Sequence, residues 1–469
     1  MFDLVITNGT VVLADALIEA DVCIQGERIA AIQARGIAWK SHRAIDAAGK
    51  LIFPGAIDSH AHLNDPGFTW REDFEHGTLA AAVGGVTTVI DMPLQNTPAL
   101  TNGRIFDAKH ERVGAKAYVD YSFWGGLVDD NMAELHELKE RGCVAVKSFI
   151  GPVSPDYVSL SMGQVREALQ ILAPLDLRAG FHCEDYSIIK WGEARALRKA
   201  AVTWQDFLDS RPLIAEVMAT KNIIDLAEET GAKVHICHVS HPAVAEVIKK
   251  ARQAGIDVTA ETCSHYLTFS DADVLSQGSL FKCAPPLREA AAVAGLWDYV
   301  LDGTLASICS DHSPCAPAEK SEADHGIFGA WGGISGIQSL FQVVYSEAVA
   351  KRGCSPTLLA QRLSEGPAKT FGIYPRKGVI RVGSDADLVI VDPELEWEIT
   401  GDSLRYLNPI SAFVGMKGKG CPVTTILRGQ LAVENGAAVL AAGCGQLIRP
   451  TAMDQELSKD RRIQTEVGV

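Results

Sequence analysis

Between residues 54 and 372 short, nearly continuous apolar runs recur, most of them followed by a stretch of helical periodicity. The runs are PGAIDSHAHL, GVTTVIDMP, AYVDYSFWGGL, CVAVKSFI, LRAGFHCED, AKVHICHVS, IDVTAETCSHY and TLASICSDHSPC. Runs without polar alternation belong to strands buried on both faces, as in a parallel sheet covered by helices. Between them, NMAELHELKERG (131–142) and HPAVAEVIKKARQAG (241–255) space their apolar residues three and four apart, which is one helix face. Eight such units in one compact region predict an α/β fold, a (β/α)8 TIM-like barrel. A doubly wound open sheet is the structural alternative. It would carry a Gly-rich phosphate turn after its first strand, and no such turn follows PGAIDSHAHL.

The two ends of the chain read differently. FDLVIT alternates, and Asn8-Gly9 is a hairpin signal. ADVCIQGERIAAI reads as a strand pair around Gly26. DADLVIVD (385–392) and TTILRGQLAVENG (424–436) repeat the style, the latter breaking at Arg428-Gly429. Neither end has enough strands for its own core. We therefore expect one small β-sandwich domain from both termini (1–53 with 373–450), a barrel over 54–372, and a polar tail or subunit-contact segment over 451–469.

Composition sharpens this picture mainly by exclusion. Hydrophobic residues make up 47% and charged residues 22%, which is globular and not disordered. Lys and Arg number 43 against 58 Asp and Glu, a net charge of −15. A surface of that sign repels phosphates, so neither a nucleic acid nor an anionic membrane is expected as partner. No apolar run of membrane-spanning length occurs and MFDLVITNG lacks a basic leader region; a cytoplasmic location is expected. The eleven cysteines form no CxxC and are odd in number, so they read as small buried hydrophobes.

The chemistry-bearing signal begins at His60-Ala61-His62. In a strand, residues i and i+2 project from one face, so two imidazoles can reach one ion. The pair ends the first predicted barrel strand, the end where barrel enzymes build their sites. Lys147, His182, His238 and Asp311 occupy equivalent ends. Taken singly, a strand-end Lys snorkels, a His is hydrogen-bonded and an Asp caps a helix. Their convergence on one rim with the HxH pair is harder to explain as capping. Four histidines, an aspartate and a lysine exceed one tetrahedral ion but suit two. An ammonium is a poor bridge between cations; a lysine amine that has captured CO2 is an oxygen-donor carbamate.

These residues, with the stretches WREDFEHGTLAAAVGGVTTVIDMPL, DSRPLIAEV, KCAPPLRE, SDHSPC and AWGGISG, resemble the cyclic amidohydrolases of the amidohydrolase superfamily. Within them the likeness is strongest to the allantoinases. FGIYPRKGVIRVGSDADLVIVD extends the resemblance over nearly the whole chain. It implies two divalent metal ions, usually zinc, with His60 and His62 on one and His182 and His238 on the other. Carboxylated Lys147 would bridge them, and Asp311 would be both ligand and proton carrier. It also implies that backbone groups around Cys283-Ala284 and Gly332-Gly333 hold the ring of a cyclic ureide. Phe149 and Trp331 are candidate walls. Dihydroorotases carry Arg two positions beyond the second histidine; here that place is Asn64, whose amide suits a neutral ureide. Gln95 directly after MPL and Ser264 in CSHY depart from the usual allantoinase order, and LNPISAFVGMKGKGCPVTTILRG also resembles L-hydantoinases. The expected reaction is hydrolysis of an in-ring amide, with allantoin going to allantoate. Hydantoinase- or dihydropyrimidinase-type hydrolysis and a non-catalytic scaffold stay open. A homotetramer or other even homo-oligomer is expected.

Overall fold

The computed structural model describes residues 1–37, 39–153 and 157–451. Each of the eight apolar runs forms a strand: β1 (Ala56–Ala61), β2 (Val86–Asp91), β3 (Asp120–Gly126), β4 (Ala145–Phe149), β5 (Ala179–His182), β6 (Val234–Ile236), β7 (Val258–Cys263) and β8 (Ser307–Cys309). They follow one another in sequence order as a single eight-stranded sheet, every pair parallel. Its two edges meet where Ala61 and His312 bridge, the His62 N–H donating to the His312 carbonyl at 2.8 Å. The barrel therefore closes beside the HxH pair.

The covering helices form where the spacing predicts them. Helix Pro242–Gln253 buries Val244, Ala245, Ile248 and Ala251 on one face. Pro242 presets its first turn, the His241 ring accepts from the Ala243 N–H at 3.0 Å, and Gly255 (φ +87°) ends it. Burying each Val or Ile stabilises by roughly 1.5–3 kcal/mol, so Ile248→Asp would detach this helix. Helix Leu135–Arg141 likewise stops at Gly142, whose φ of +97° only glycine adopts without strain.

A second, ten-stranded mixed sheet draws on both termini. Its seam is strand Leu388–Glu398, antiparallel to Leu51–Pro54 on one side and to Lys417–Leu427 on the other. Strand Leu17–Gln25 pairs on both of its sides, and one cluster including Leu4, Val22, Ile52, Leu388 and Ile426 fills the space within. The break at Arg428-Gly429 is a two-residue hairpin: both residues have positive φ (+43° and +77°) and Leu427 pairs with Gln430. Asn8-Gly9 is not a hairpin. Phe2–Thr7 and Thr10–Val12 both pair with Leu17–Gln25 and lie end to end, the register slipping by one residue between them. Asn8 (φ +64°) is the bulge between the two segments.

Ionic and backbone contacts fasten the sheet to the barrel. The Lys377 ammonium sits among Asp120 (2.5 Å), Asp387 (2.5 Å) and Asp385 (2.9 Å), with Arg428 also on Asp120 and Arg28 on Asp385. Three carboxylates meeting here could suggest a cation site; the ammonium already fills it. Near the C-terminus Tyr121 of β3 exchanges backbone hydrogen bonds with Gln446 (3.0 Å) and Ile448 (2.7 Å). All eleven cysteines are free thiols and eight are buried, as packing residues. No helix among the described residues is long and apolar enough to cross a membrane. The expected tail lies, beyond Thr451, outside the described residues.

Candidate active site

At the C-terminal rim of the barrel the strands and the turns that follow them bring six side chains together. The His60 and His62 Nε2 atoms lie 3.2 and 3.3 Å from one Asp311 carboxylate oxygen. His182 ends β5, and its Nδ1 lies 3.0 Å from Nε2 of His238, just beyond β6. Lys147, in the middle of β4, is fully buried, and its Nζ has no hydrogen-bond partner. His238 (φ +39°) and Asp311 (φ +44°) are left-handed. Non-glycine residues adopt that backbone at a cost of roughly 1–3 kcal/mol, and such strain clusters at functional sites.

These six residues line one cavity of about 440 Å3, together with Cys283, Ala284, Gly332 and Gly333. Asn64 is not brought in. Strand β1 ends at Ala61, so the two-residue alternation stops there. Asn64 (φ +57°) starts a turn, its carbonyl accepting from the Phe68 N–H at 3.0 Å. The amide that does line the cavity is Gln95, whose buried Oε1 has no partner.

The electrostatics suit nitrogen ligands. Burial pushes His62, His182 and His238 below the ordinary imidazole range, toward the neutral form that ligates metals. Burial acts the same way on His60, but the Asp311 and Glu261 carboxylates outweigh it and lift it to about 10. Burial alone would raise Asp311; His60 and His62 bring it down to about 2. The ligand atoms of His60, His62 and Asp311 all lie within 4.8 Å of one another, so this group could hold a divalent ion.

Orienting groups stand behind the histidines. Glu261 accepts from His60 Nδ1 at 2.5 Å, and Glu184 from His182 Nε2 at 2.8 Å. Such partners fix ring orientation and tautomer. Asp58 on β1 accepts from the Ser310 N–H at 3.0 Å and holds the turn before Asp311. Sequence reasoning did not single these out, although a signal exists. Glu261 and Asp58 are charges inside apolar strands, and Glu184 follows His182 by two residues.

One wall is held by two lysines. Lys282 donates to the carbonyls of Ile327 (2.9 Å), Phe328 (2.8 Å) and Ala330 (2.6 Å). Lys320 donates to those of Trp331 (3.1 Å) and Gly333 (2.7 Å). Burial, with Arg211 and Lys320 adding, lowers Lys282 to about 7. A Cβ on Gly333 would stand 2.6 Å from the Ser313 carbonyl oxygen, so only glycine brings this backbone so close. Phe149 stacks on His182 at 5.0 Å between centroids, and Trp331 lies 3.9 Å from the Arg71 guanidinium.

Comparison with known proteins agrees with this geometry. Residues 51–432 match the amidohydrolase family. The chain belongs to that family. An allantoinase from Rubrobacter xylanophilus is 41% identical over 450 residues, covering 96% of this chain and 98% of its own. An allantoinase from Salmonella newport is 36% identical, covering 94% and 98%. Among solved structures, the L-hydantoinase (dihydropyrimidinase) from Arthrobacter aurescens superposes with a TM-score of 0.93 at 32% identity, over 96% of this chain and all of its own. The dihydropyrimidinase from Brevibacillus agri superposes at 0.89 and 30% identity, covering 95% and 98%. The barrel expected from the apolar runs is the architecture of this amidohydrolase.

Proposed function

We propose that this amidohydrolase opens the in-ring amide of a cyclic ureide, allantoin to allantoate, using two divalent metal ions, zinc by preference. The observation that carries the reading is the convergence of four histidines, Asp311 and the unpartnered Lys147 amine on one cavity. An isolated buried ammonium costs several kcal/mol. Carboxylation of Lys147 removes that charge and leaves an anion that two cations neutralise. His60 and His62 would hold one ion, His182 and His238 the other, with Asp311 completing the first group. When bound, such ions supply Lewis acidity and hydroxide at neutral pH.

The protein's own groups then do the rest. Asp311, ionised and 3.2–3.3 Å from two histidines, accepts the proton of the attacking water. It returns that proton to the departing ring nitrogen, a base and then an acid. The backbone at Cys283-Ala284 and Gly332-Gly333 offers amide hydrogen bonds to a planar ureide edge, and the Gln95 side-chain amide adds another. Glu261 and Glu184 hold the rings against rotation. The cavity also has an apolar part, formed by aromatic rings.

A second reading rests on that apolar side. Phe149, Phe207, Phe328 and Trp331 line the same cavity and suit a hydantoin bearing an apolar 5-substituent. Hydrolysis rates for allantoin, 5-substituted hydantoins, dihydrouracil and dihydroorotate separate the two. Highest kcat/KM on allantoin supports the main reading, and preference for an aryl-hydantoin replaces it. Inactivity on all four in protein of full metal content would return the scaffold alternative.

A further inference from the structure

A second cavity, of about 800 Å3, lies at the other end of the barrel. Arg178 precedes β5 and Ala306 precedes β8, so its floor is the N-terminal face. Its walls come from residues 361–374 and from loops beside the terminal sheet, at Ala14-Asp15 and Ile380-Arg381. Five cationic side chains line it against two carboxylates, Asp15 and Glu365, on a chain of net charge −15.

Of the nearby acids, Asp257, Glu365 and Asp302 are already engaged, while Asp15 faces the same cavity. Arg178 pairs with Asp257 at 2.9 Å, Lys369 with Glu365 at 2.6 Å, and Lys249 with Asp302 at 2.8 Å. Arg252, Arg362 and Arg381 have no carboxylate partner among the described residues. Arg252 donates from one terminal nitrogen to the Gly303 (2.7 Å) and Thr304 (3.0 Å) carbonyls. Arg362 donates only from Nε, to the Val300 carbonyl at 2.7 Å. The two guanidinium groups converge on Gly303, where Arg362 Nη2 would stand 3.0 Å from a Cβ at that position. Capping the end of helix Ala290–Leu301 explains one edge of each. It leaves both terminal nitrogens of Arg362 unused, and Arg381 caps nothing. Burial lowers Arg362 below the ordinary guanidinium range, Asp302 and Glu365 offsetting part of that and the exposed Arg252 adding to it.

We propose that the cavity lined by Arg252, Arg362 and Arg381 binds a small multivalent oxyanion, phosphate or paired carboxylate, that clips the terminal sheet to the barrel. Guanidinium forks match both oxyanions bidentately, and a site of this size takes a small organic anion. The proposal is independent of the hydrolytic reading, because none of these residues lines the histidine cavity.

The test titrates inorganic phosphate, and separately malonate, into metal-loaded protein in chloride buffer at constant ionic strength, following the melting temperature. A saturable rise of about 2 °C or more at millimolar anion is expected. Response to phosphate alone assigns a phosphate ligand; an equal response to malonate assigns the wider class. Arg362→Gln should abolish the rise, and the exposed Arg381→Gln should weaken the apparent affinity at least ~5-fold. If Arg362→Gln does not fold, Arg252→Gln with Arg381→Gln carries the same comparison. A rise that never saturates, or that is identical in wild type and variants, is the general effect of kosmotropic salts and overturns the proposal.

Discussion

The sharpest prediction concerns Lys147. Its side chain is fully buried and its amine has no hydrogen-bond partner, only the Phe149 ring 5.1 Å away. Lys147→Met keeps an unbranched side chain only one atom shorter and removes the charge. In metal-stripped protein that exchange is expected to stabilise by about 1–4 kcal/mol, because an uncompensated buried charge gives way to an apolar group of similar volume. Lys147→Ala also removes the charge but leaves a cavity, which costs about 2–5 kcal/mol, so it should melt below Lys147→Met. Function should move the other way. Both variants lose the bridging anion, so both should purify with little metal and little turnover. Short-chain carboxylic acids should partly restore metal and activity to Lys147→Ala, whose cavity admits them, and not to Lys147→Met, whose side chain fills it. Calorimetry of the stripped proteins, elemental analysis and allantoin turnover with and without propionate read all three quantities. Full metal content with normal turnover in Lys147→Met would refute the carbamate assignment. A stripped Lys147→Met that melts well below wild type would refute the electrostatic argument.

Asp311→Asn keeps the shape of the side chain and removes the base, so kcat should fall ~10²–10⁴-fold; near-normal turnover would place the base elsewhere. Lys282→Met removes the donors that hold the Ile327–Ala330 carbonyls and should lower kcat/KM roughly 5–150-fold, the equivalent of ~1–3 kcal/mol. Its metal content should stay intact, and unchanged kinetics would make Lys282 plain packing. Asn64→Ala, in a left-handed turn position, should melt lower with little kinetic change, whereas a large loss in kcat/KM at constant melting temperature would return Asn64 to the pocket. Burial alone would raise the Asp65 carboxyl, but Arg112 and Lys116 outweigh it and hold it below its ordinary value. The stability it contributes is full above its unfolded value near ~3.9 and is lost as pH falls through the depressed folded value. Asp65→Asn should therefore cost about 1–3 kcal/mol at pH 7, discounting for the half-exposed Arg112, and equal urea midpoints for the two proteins would exclude this.

The eight barrel strands were legible because strands buried on both faces cannot hide a polar alternation. The same burial made the rim residues stand out. A His, Lys or Asp closing an apolar run has no water to face unless the strand ends in a cavity. His60 and His62 share a face because the barrel ladder still holds the residue after Ala61, the His62 N–H donating to the His312 carbonyl. Asn64 shows where that inference stops. The period holds only while the backbone is extended, and the chain leaves the strand after Ala61. The sequence does not mark that boundary to within a residue, and three residues decide whether an amide faces substrate or a turn.

The second class of miss has a different cause. Asn8-Gly9 carries the residues of a tight turn, yet both flanking segments pair with the same strand, Leu17–Gln25. Local turn chemistry permits either a hairpin or a bulge, and the partner strand selects between them. Glu261 supporting His60 from 201 residues away, and Lys282 gripping carbonyls 45 to 48 residues on, are partnerships of the same kind. Each is decided by which strands and loops the barrel brings side by side. What a sequence does show is the debt such residues carry. A charge inside an apolar run must meet an opposite charge, a set of carbonyls or an ion. Glu261 met the first and Lys282 the second. Lys147 met neither, and that is why the cavity's chemistry is argued from its amine.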